Sequence, residues 1–182
     1  MEPEYLKHAQ SLGNAELYEL MTMYGNDVLR YAYAITGKEE LAKDIAQEVF
    51  IKAHLHIHTF RGQSSFKTWL FAITRNQAFN ELRSSYLRKV LLFDTVRNKE
   101  KARSAEADWE SEQSVAYLRN VIMGLSRKLR EVLVLDLEQE LTIKEMAKLL
   151  EVSEGTVKSR LHRARREVER KWRCWEHESF EV

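Results

Sequence analysis

Residues Leu141 to Trp172 read LTIKEMAKLLEVSEGTVKSRLHRARREVERKW. Thr142 stands where its hydroxyl can cap a short helix, and Ile143, Met146, Ala147 and Leu150 give that helix one apolar face. Ser153 opens a second helix in the same way. Two helices joined by so short a turn must cross closely, which requires a small residue at the crossing and a buried one opposite; Ala147 and Val157 meet both needs. Glu151 occupies the turn position at which glycine or asparagine commonly supplies a left-handed backbone. The pattern predicts a helix-turn-helix.

At 100° per residue, Val157, Leu161, Ala164, Val168 and Trp172 fall on one stripe of the second helix. Gly155, Ser159, His162, Arg163 and Arg166 fall on the opposite side, with Thr156, Lys158 and Arg160 flanking. From Lys158 to Arg173 eight Lys and Arg accompany only Glu167 and Glu169. Short side chains near the helix start permit close approach to base edges, and the arginines suit guanine edges or phosphates. This outer face is the candidate duplex-DNA reader.

Upstream of this motif, apolar residues recur at helical spacing at Val115, Leu118, Val121, Ile122 and Leu125, then at Val132, Val134, Leu135 and Leu137. A second helical domain is therefore expected over 113–175, ending in an acidic, frayed tail, EHESFEV. Before it, DTVRNKEKARSAEADWESE has six acidic and four basic residues and only Val96 and Trp109 as large apolar side chains. That composition predicts a linker over 94–112, with a contact available through Trp109.

The preceding residues, 12–93, carry a separate helical pattern. Leu17, Leu20 and Met21 lead to Val28, Tyr31 and Ile35, and Gly37 supplies a stop. A second helix is expected from about Lys38 to Ile57 and a third from about Ser65 to Leu87. In KDIAQEVFIKAH, Ala42, Ile45, Ala46, Val49 and Ala53 turn inward while Asp44 and Glu48 turn outward. Like charges at that spacing cost roughly a few tenths of a kcal/mol in an isolated helix, a sign that a cationic partner surface would reverse; a Glu48 to Lys52 pair would instead suit a solvated face. Further on, the small polar loop Arg61, Gly62, Gln63, Ser64 and Ser65 is bordered by Phe60 and Phe66. Trp69, Asn76, Asn80 and Arg83 follow within about 60° of one another on one helix face, leaving Phe66, Leu70 and Ile73 for the core. An aromatic ring, two amides and a guanidinium on one stripe suit unstacked bases, held by stacking and edge hydrogen bonds.

Composition narrows the alternatives. With one proline and six glycines in 182 residues, an all-α fold is expected, as two small helical domains joined by a flexible linker. A net charge of +1 means that affinity for nucleic acid must come from local patches. The lone Cys174 excludes an intramolecular disulfide and is expected to pack beside Trp172 and Trp175. A reducing cytoplasm fits, and neither an export signal nor a membrane anchor is read. His54 and His58 share a helical face in HLHIH, but His56 points away and nothing nearby completes a ligand set, so neither metal nor cofactor is expected. No nucleophile motif or phosphate-binding glycine loop points to an enzyme or a small-molecule substrate.

These stretches together resemble the extracytoplasmic-function (ECF) sigma factors of the sigma-70 family. DIAQEVFIKA resembles their core-polymerase-binding helix, FRGQSSFKTWLFAITRNQAFNELR their promoter-melting and minus-10 segment, and LTIKEMAKLLEVSEGTVKSRLHRARR their minus-35 reader. The resemblance implies that Asp44, Gln47 and Glu48 face the polymerase clamp. It implies that Arg61 to Ser65 with Asn80 form the pocket for a base flipped from the minus-10 strand, and that Lys158, Ser159, His162 and Arg163 touch minus-35 DNA. It also implies a linker threaded through the polymerase and, as a partner class that no residue here specifies, an anti-sigma factor. The family usually has Leu-Pro where this chain has Leu125 and Ser126; serine can cap the helix beginning near Arg127. A homodimeric helix-turn-helix repressor or activator remains the alternative. It would leave the Asp44/Glu48 helix and the Trp69 to Arg83 stripe without a task.

Overall fold

The computed structural model describes Leu6 and residues 11–91, 109–139 and 141–180, and the regular structure among them is entirely helical. Helix α1, Asn14–Thr36, buries Leu20, Tyr24, Val28, Tyr31 and Ile35. It stops at Gly37, whose left-handed backbone (φ 69°) lets its amide donate to the Tyr33 carbonyl at 2.8 Å. Helix α2, Glu39–His56, turns Ala42, Ile45, Val49, Phe50 and Ala53 inward and passes through a 3₁₀ turn, Ile57–Thr59, into the loop. Ser65 then starts α3, Phe66–Leu91: its hydroxyl accepts from the Thr68 amide at 3.1 Å and its carbonyl from the Trp69 amide at 3.1 Å. The three helices pack on one another as the first lobe.

The second lobe holds α4, Trp109–Met123, α5, Arg127–Gln139, α6, Ile143–Leu150, and α7, Glu154–Phe180. Helix α4 begins inside the stretch expected to be linker; residues 94–108 and the side chain of Trp109 lie outside the described residues. Ser126 precedes α5, but its carbonyl, accepting from the Leu129 and Arg130 amides at 2.9 Å, makes the connection. Around α6 the expected cap is a full capping box: Thr142 Oγ1 accepts from the Glu145 amide at 3.2 Å, and the Glu145 carboxylate accepts from the Thr142 amide at 3.0 Å. Reciprocal satisfaction of two orphan amides makes Thr142→Ala cost about 1 kcal/mol, read as a lower urea midpoint at unchanged slope. Glu151 does adopt the left-handed conformation (φ 56°), alone among the described non-glycine residues. The strain at this turn is of order 1 kcal/mol. Ser153 Oγ accepts from the Thr156 amide at 3.2 Å, and Ala147 and Val157 are buried at the crossing.

Helix α5 departs most from its sequence pattern. Arg130 through Leu135 are buried without interruption, because α5 contacts α1 on one side and α7 on the other. Val132 and Leu135 join the core of the first lobe, whereas Leu133 packs with Leu125, Ala164 and Val168. Val115, Leu118 and Leu137, read as core positions from periodicity, are exposed at 58%, 36% and 61%. They lie on the faces of α4 and α5 that neither lobe covers.

The stripe predicted for α7 packs as expected: Val157, Leu161 and Ala164 are buried and Val168 and Trp172 half-buried. The end of the helix does not fray at the predicted point but continues through Phe180. Tyr117 of α4 stacks on Trp175 at 5.2 Å and meets Trp172 at 6.3 Å, and its hydroxyl donates to the Lys171 carbonyl at 3.0 Å. That aromatic clasp supports the extra turns. Cys174 lies on the other side of α7 and is exposed, contrary to the packing role expected for it.

Candidate nucleic-acid interface

Three sets of side chains named from sequence fall on three separate surfaces. On α2, Asp44, Gln47 and Glu48 are all exposed. The Lys52 ammonium turns to Gln77 Oε1 of α3, and the Glu48 to Lys52 pair that would suit a solvated face is not formed. An unneutralised acidic stripe is left on the outer face of the helix.

The second surface is a cavity of about 260 Å³ between the loop, α3 and the end of α6, lined by Arg61, Gln63, Ser64, Trp69 and Asn76 of the predicted set and, from the other lobe, by Lys148, Leu149 and Glu151. Gly62 makes the bend with φ 65°, and Ser65 caps α3. Asn80 and Arg83 are exposed one and two turns beyond Asn76, outside the cavity but on the same face. Trp69 is half-buried, with Phe60 at 5.6 Å and Phe66 at 5.4 Å; Phe66 also meets Phe60 edge-on at 5.5 Å and Tyr24 at 5.6 Å. The indole is thus braced from behind, which lowers the ordering cost of stacking a planar ligand on it.

Thr59, Thr68, Ala72 and Arg75 also line the cavity, and sequence reasoning missed them. Arg75 is the one with visible electrostatics: its Nε donates to Glu131 Oε1 at 3.0 Å, and its guanidinium lies 4.8 Å from the Phe79 ring. Tyr31 donates its hydroxyl to the same Glu131 oxygen at 3.1 Å. Burial, then the neighbouring Glu131 charge, holds the Tyr31 phenol well above its ordinary value, so it keeps its proton and donates a hydrogen bond at neutral pH. The only sequence signal for this pair was an arginine beside the Asn76 stripe and a glutamate in an apolar run.

The third surface is the outer face of α7. Lys158, Ser159, His162, Arg163 and Arg166 are exposed, as the helical projection predicted. Arg163 Nε donates to the Ser159 carbonyl at 3.2 Å, and Ser159 Oγ donates to the Thr156 carbonyl at 3.0 Å. Both groups rest on their own helix and are free to swing outward. Arg165 pairs with Asp136 of α5 and fixes the helix from the side. Among the described residues no group of three His, Cys, Asp or Glu could hold a metal ion.

Comparison with known proteins finds a match for each of the two lobes. Residues 20–87 match the Sigma-70 region 2 family and residues 116–168 the Sigma-70, region 4 family. The chain is similar to the ECF RNA polymerase sigma factor SigM of Bacillus subtilis, at 31% identity over 82% of this chain and 91% of the relative. It is also similar to the RNA polymerase sigma factor YlaC of the same organism, at 32% identity over 91% of this chain and 94% of the relative. The fold is like that of the sigma factor RpoE crystallised with the anti-sigma factor NepR from Bartonella quintana, with a TM-score of 0.72, 21% identity, and coverage of 86% of this chain and 96% of the other. CnrH, solved in complex with the cytosolic domain of CnrY, gives a TM-score of 0.61 at 22% identity, over 86% of this chain and 87% of the other. The first three helices and their loop thus coincide with one sigma module and the helix-turn-helix lobe with another, and the chain belongs to the sigma-70 family as an ECF sigma factor.

Proposed function

We propose a division of labour among the three surfaces of this promoter-directing initiation factor. Asp44, Gln47 and Glu48 dock core RNA polymerase. Arg61 to Ser65, Trp69, Asn76, Asn80 and Arg83 capture opened minus-10 bases, and Lys158, Ser159, His162, Arg163 and Arg166 read minus-35 duplex. The observation that carries this reading is the cavity with a braced indole and an exposed amide, Asn76, on its wall. A duplex-only repressor has no use for it, and the family match disfavours that alternative.

The protein performs no covalent step in this scheme. Capture of an unstacked base offsets an unpairing cost of about a few kcal/mol, which turns binding energy into strand opening. No described helix is long and apolar enough to cross a membrane, which is compatible with action in the cytoplasm, where core polymerase and promoter DNA meet. The sigma factor RpoE, of similar fold, was solved with the anti-sigma factor NepR, and we extend that class of partner to this chain. The lobe boundaries we assign are 12–93 and, with α4 and the whole of α7 included, 109–180.

The test is in vitro transcription with purified core polymerase on genomic fragments, with start-site mapping. In that assay Arg163→Ala or His162→Ala should reduce discrimination between the mapped minus-35 sequence and a mutated one by roughly tenfold to a hundredfold, the worth of a base-edge contact. Core binding, measured by fluorescence anisotropy, should stay the same. Equal loss on both DNA sequences would assign these residues to phosphates.

A further inference from the structure

Helix α7 outruns its family module. The region 4 match ends at residue 168, whereas the helix runs on through Phe180 over 27 residues, about 40 Å at 1.5 Å per residue. A major groove about 12 Å wide takes only part of such a helix against its base edges. The turns beyond the reading positions leave over the groove wall, which is a line of phosphates.

Those turns carry a groove of their own. It has a volume of about 780 Å³ and is lined by Leu129 of α5 and by Arg163, Arg166, Arg170, Arg173 and Cys174 of α7, with Glu167 and Glu169 as its carboxylates. Leu129 packs on the Leu125, Leu133 and Ala164 cluster, so that wall is fixed. At 100° per residue the four arginines stay within about 80° of one another, and all four are exposed. The carboxylates are already engaged: Glu169 pairs with Arg173, one turn on, and Glu167 lies 4.0 Å from Lys171. Arg166 and Arg170 make no ion pair among the described residues. An exposed pair such as Glu169 to Arg173 is weak, so a phosphate, which arginine binds bidentately, competes for that guanidinium.

The row from Arg163 to Arg173 covers about 15 Å of helix axis, more than one isolated phosphate occupies. It is also continuous with Arg163 and Arg166 of the reading face. The ligand that fits is a polymer of regularly spaced phosphates. Resting on the minus-35 assignment above, we infer that Arg170 and Arg173 bind the sugar-phosphate backbone of duplex DNA beside the minus-35 element, one phosphate each. Base contacts by the start of α7 choose the site, and this end of the helix sets how tightly, and up to what salt, the duplex is held.

The test uses holoenzyme assembled from core polymerase and the full chain, on a promoter fragment carrying the mapped minus-35 element. Both arginines are exposed and glutamine is a good helix former, so the double variant Arg170→Gln, Arg173→Gln keeps its helix. It should bind the fragment about tenfold more weakly at about 0.1 M salt, and the slope of log affinity against log salt should fall by about 2, near 0.9 for each lost phosphate. Discrimination between the mapped minus-35 sequence and a mutated one should stay the same. Position is read separately: Cys174 is the only cysteine and is exposed on the groove, so an iron-EDTA reagent tethered to it should cut the DNA backbone at one edge of the minus-35 element. Unchanged affinity and slope in the double variant, or no cuts at that edge, would overturn the inference. Reduced transcription at unchanged DNA affinity would overturn it too and assign the groove to an acidic protein surface. Arg163→Ala keeps the two readings apart. If it loses discrimination while the double variant matches the wild type, the backbone contact alone fails; if it keeps discrimination and no cuts fall near minus 35, the minus-35 assignment fails and the inference with it.

Discussion

Asp44→Arg is expected to weaken binding to core RNA polymerase about a hundredfold and to abolish specific transcription, while affinity for minus-35 duplex DNA stays at the wild-type level. Asp44 is exposed on α2 and belongs to the unneutralised stripe shared with Glu48. Opposite a cationic docking surface, a reversed charge replaces attraction by repulsion, and such juxtapositions cost several kcal/mol. The helix itself should tolerate the change, since α2 buries only its other face and arginine is a good helix former. Titration of labelled protein with core polymerase at two salt concentrations checks both the loss and its electrostatic origin. Binding equal to that of the wild type would remove α2 from the docking surface.

Trp69→Ala is expected to reduce open-complex formation, followed by permanganate reactivity of the minus-10 strand, by about tenfold to a hundredfold. That corresponds to the roughly 1–3 kcal/mol carried by stacking of one base on an aromatic side chain. Loss of the ring also removes its packing on Phe60 and Phe66, so the comparison must include Trp69→Phe, which restores a stacking surface in the same bracing, and Asn76→Ala, which removes an exposed amide without disturbing the core. Recovery of most of the opening in Trp69→Phe, with a partial defect in Asn76→Ala, separates base capture from simple loss of fold. Core binding should be the same in all three.

The helix-turn-helix was legible in sequence because everything that defines it is local. Thr142 and Ser153 announce their caps, Ala147 and Val157 their crossing, and one stripe from Val157 to Trp172 its buried side. Asp44 and Glu48, the stripe from Trp69 to Arg83 and the basic face of α7 could be named because an exposed side chain on a regular helix is placed by its spacing; Gln47 and the role of the loop Arg61 to Ser65 came from the family resemblance. What escaped depends on contacts between residues far apart in the chain. Val115, Leu118 and Leu137 follow helical periodicity as faithfully as their buried neighbours, and only the position of the other lobe decides which of them meet water. Arg75 and Glu131 read as an ordinary basic and an ordinary acidic residue; their ion pair at 3.0 Å spans 56 positions. Cys174 was misplaced for a related reason. Its neighbours Trp172 and Trp175 reach Tyr117 on α4, and a residue lying between them in sequence points elsewhere on the helix.

The central claim is that one chain reads two promoter elements on behalf of polymerase. Its most direct test is run-off transcription from genomic fragments with purified core polymerase, with and without this protein, followed by mapping of the starts. Discrete starts that depend on the protein are expected, each preceded by one shared element near minus 10 and another near minus 35, with loss of those starts in Asp44→Arg. An absence of dependent starts, together with tight binding of the free protein to a two-fold symmetric duplex site as a dimer, would contradict it.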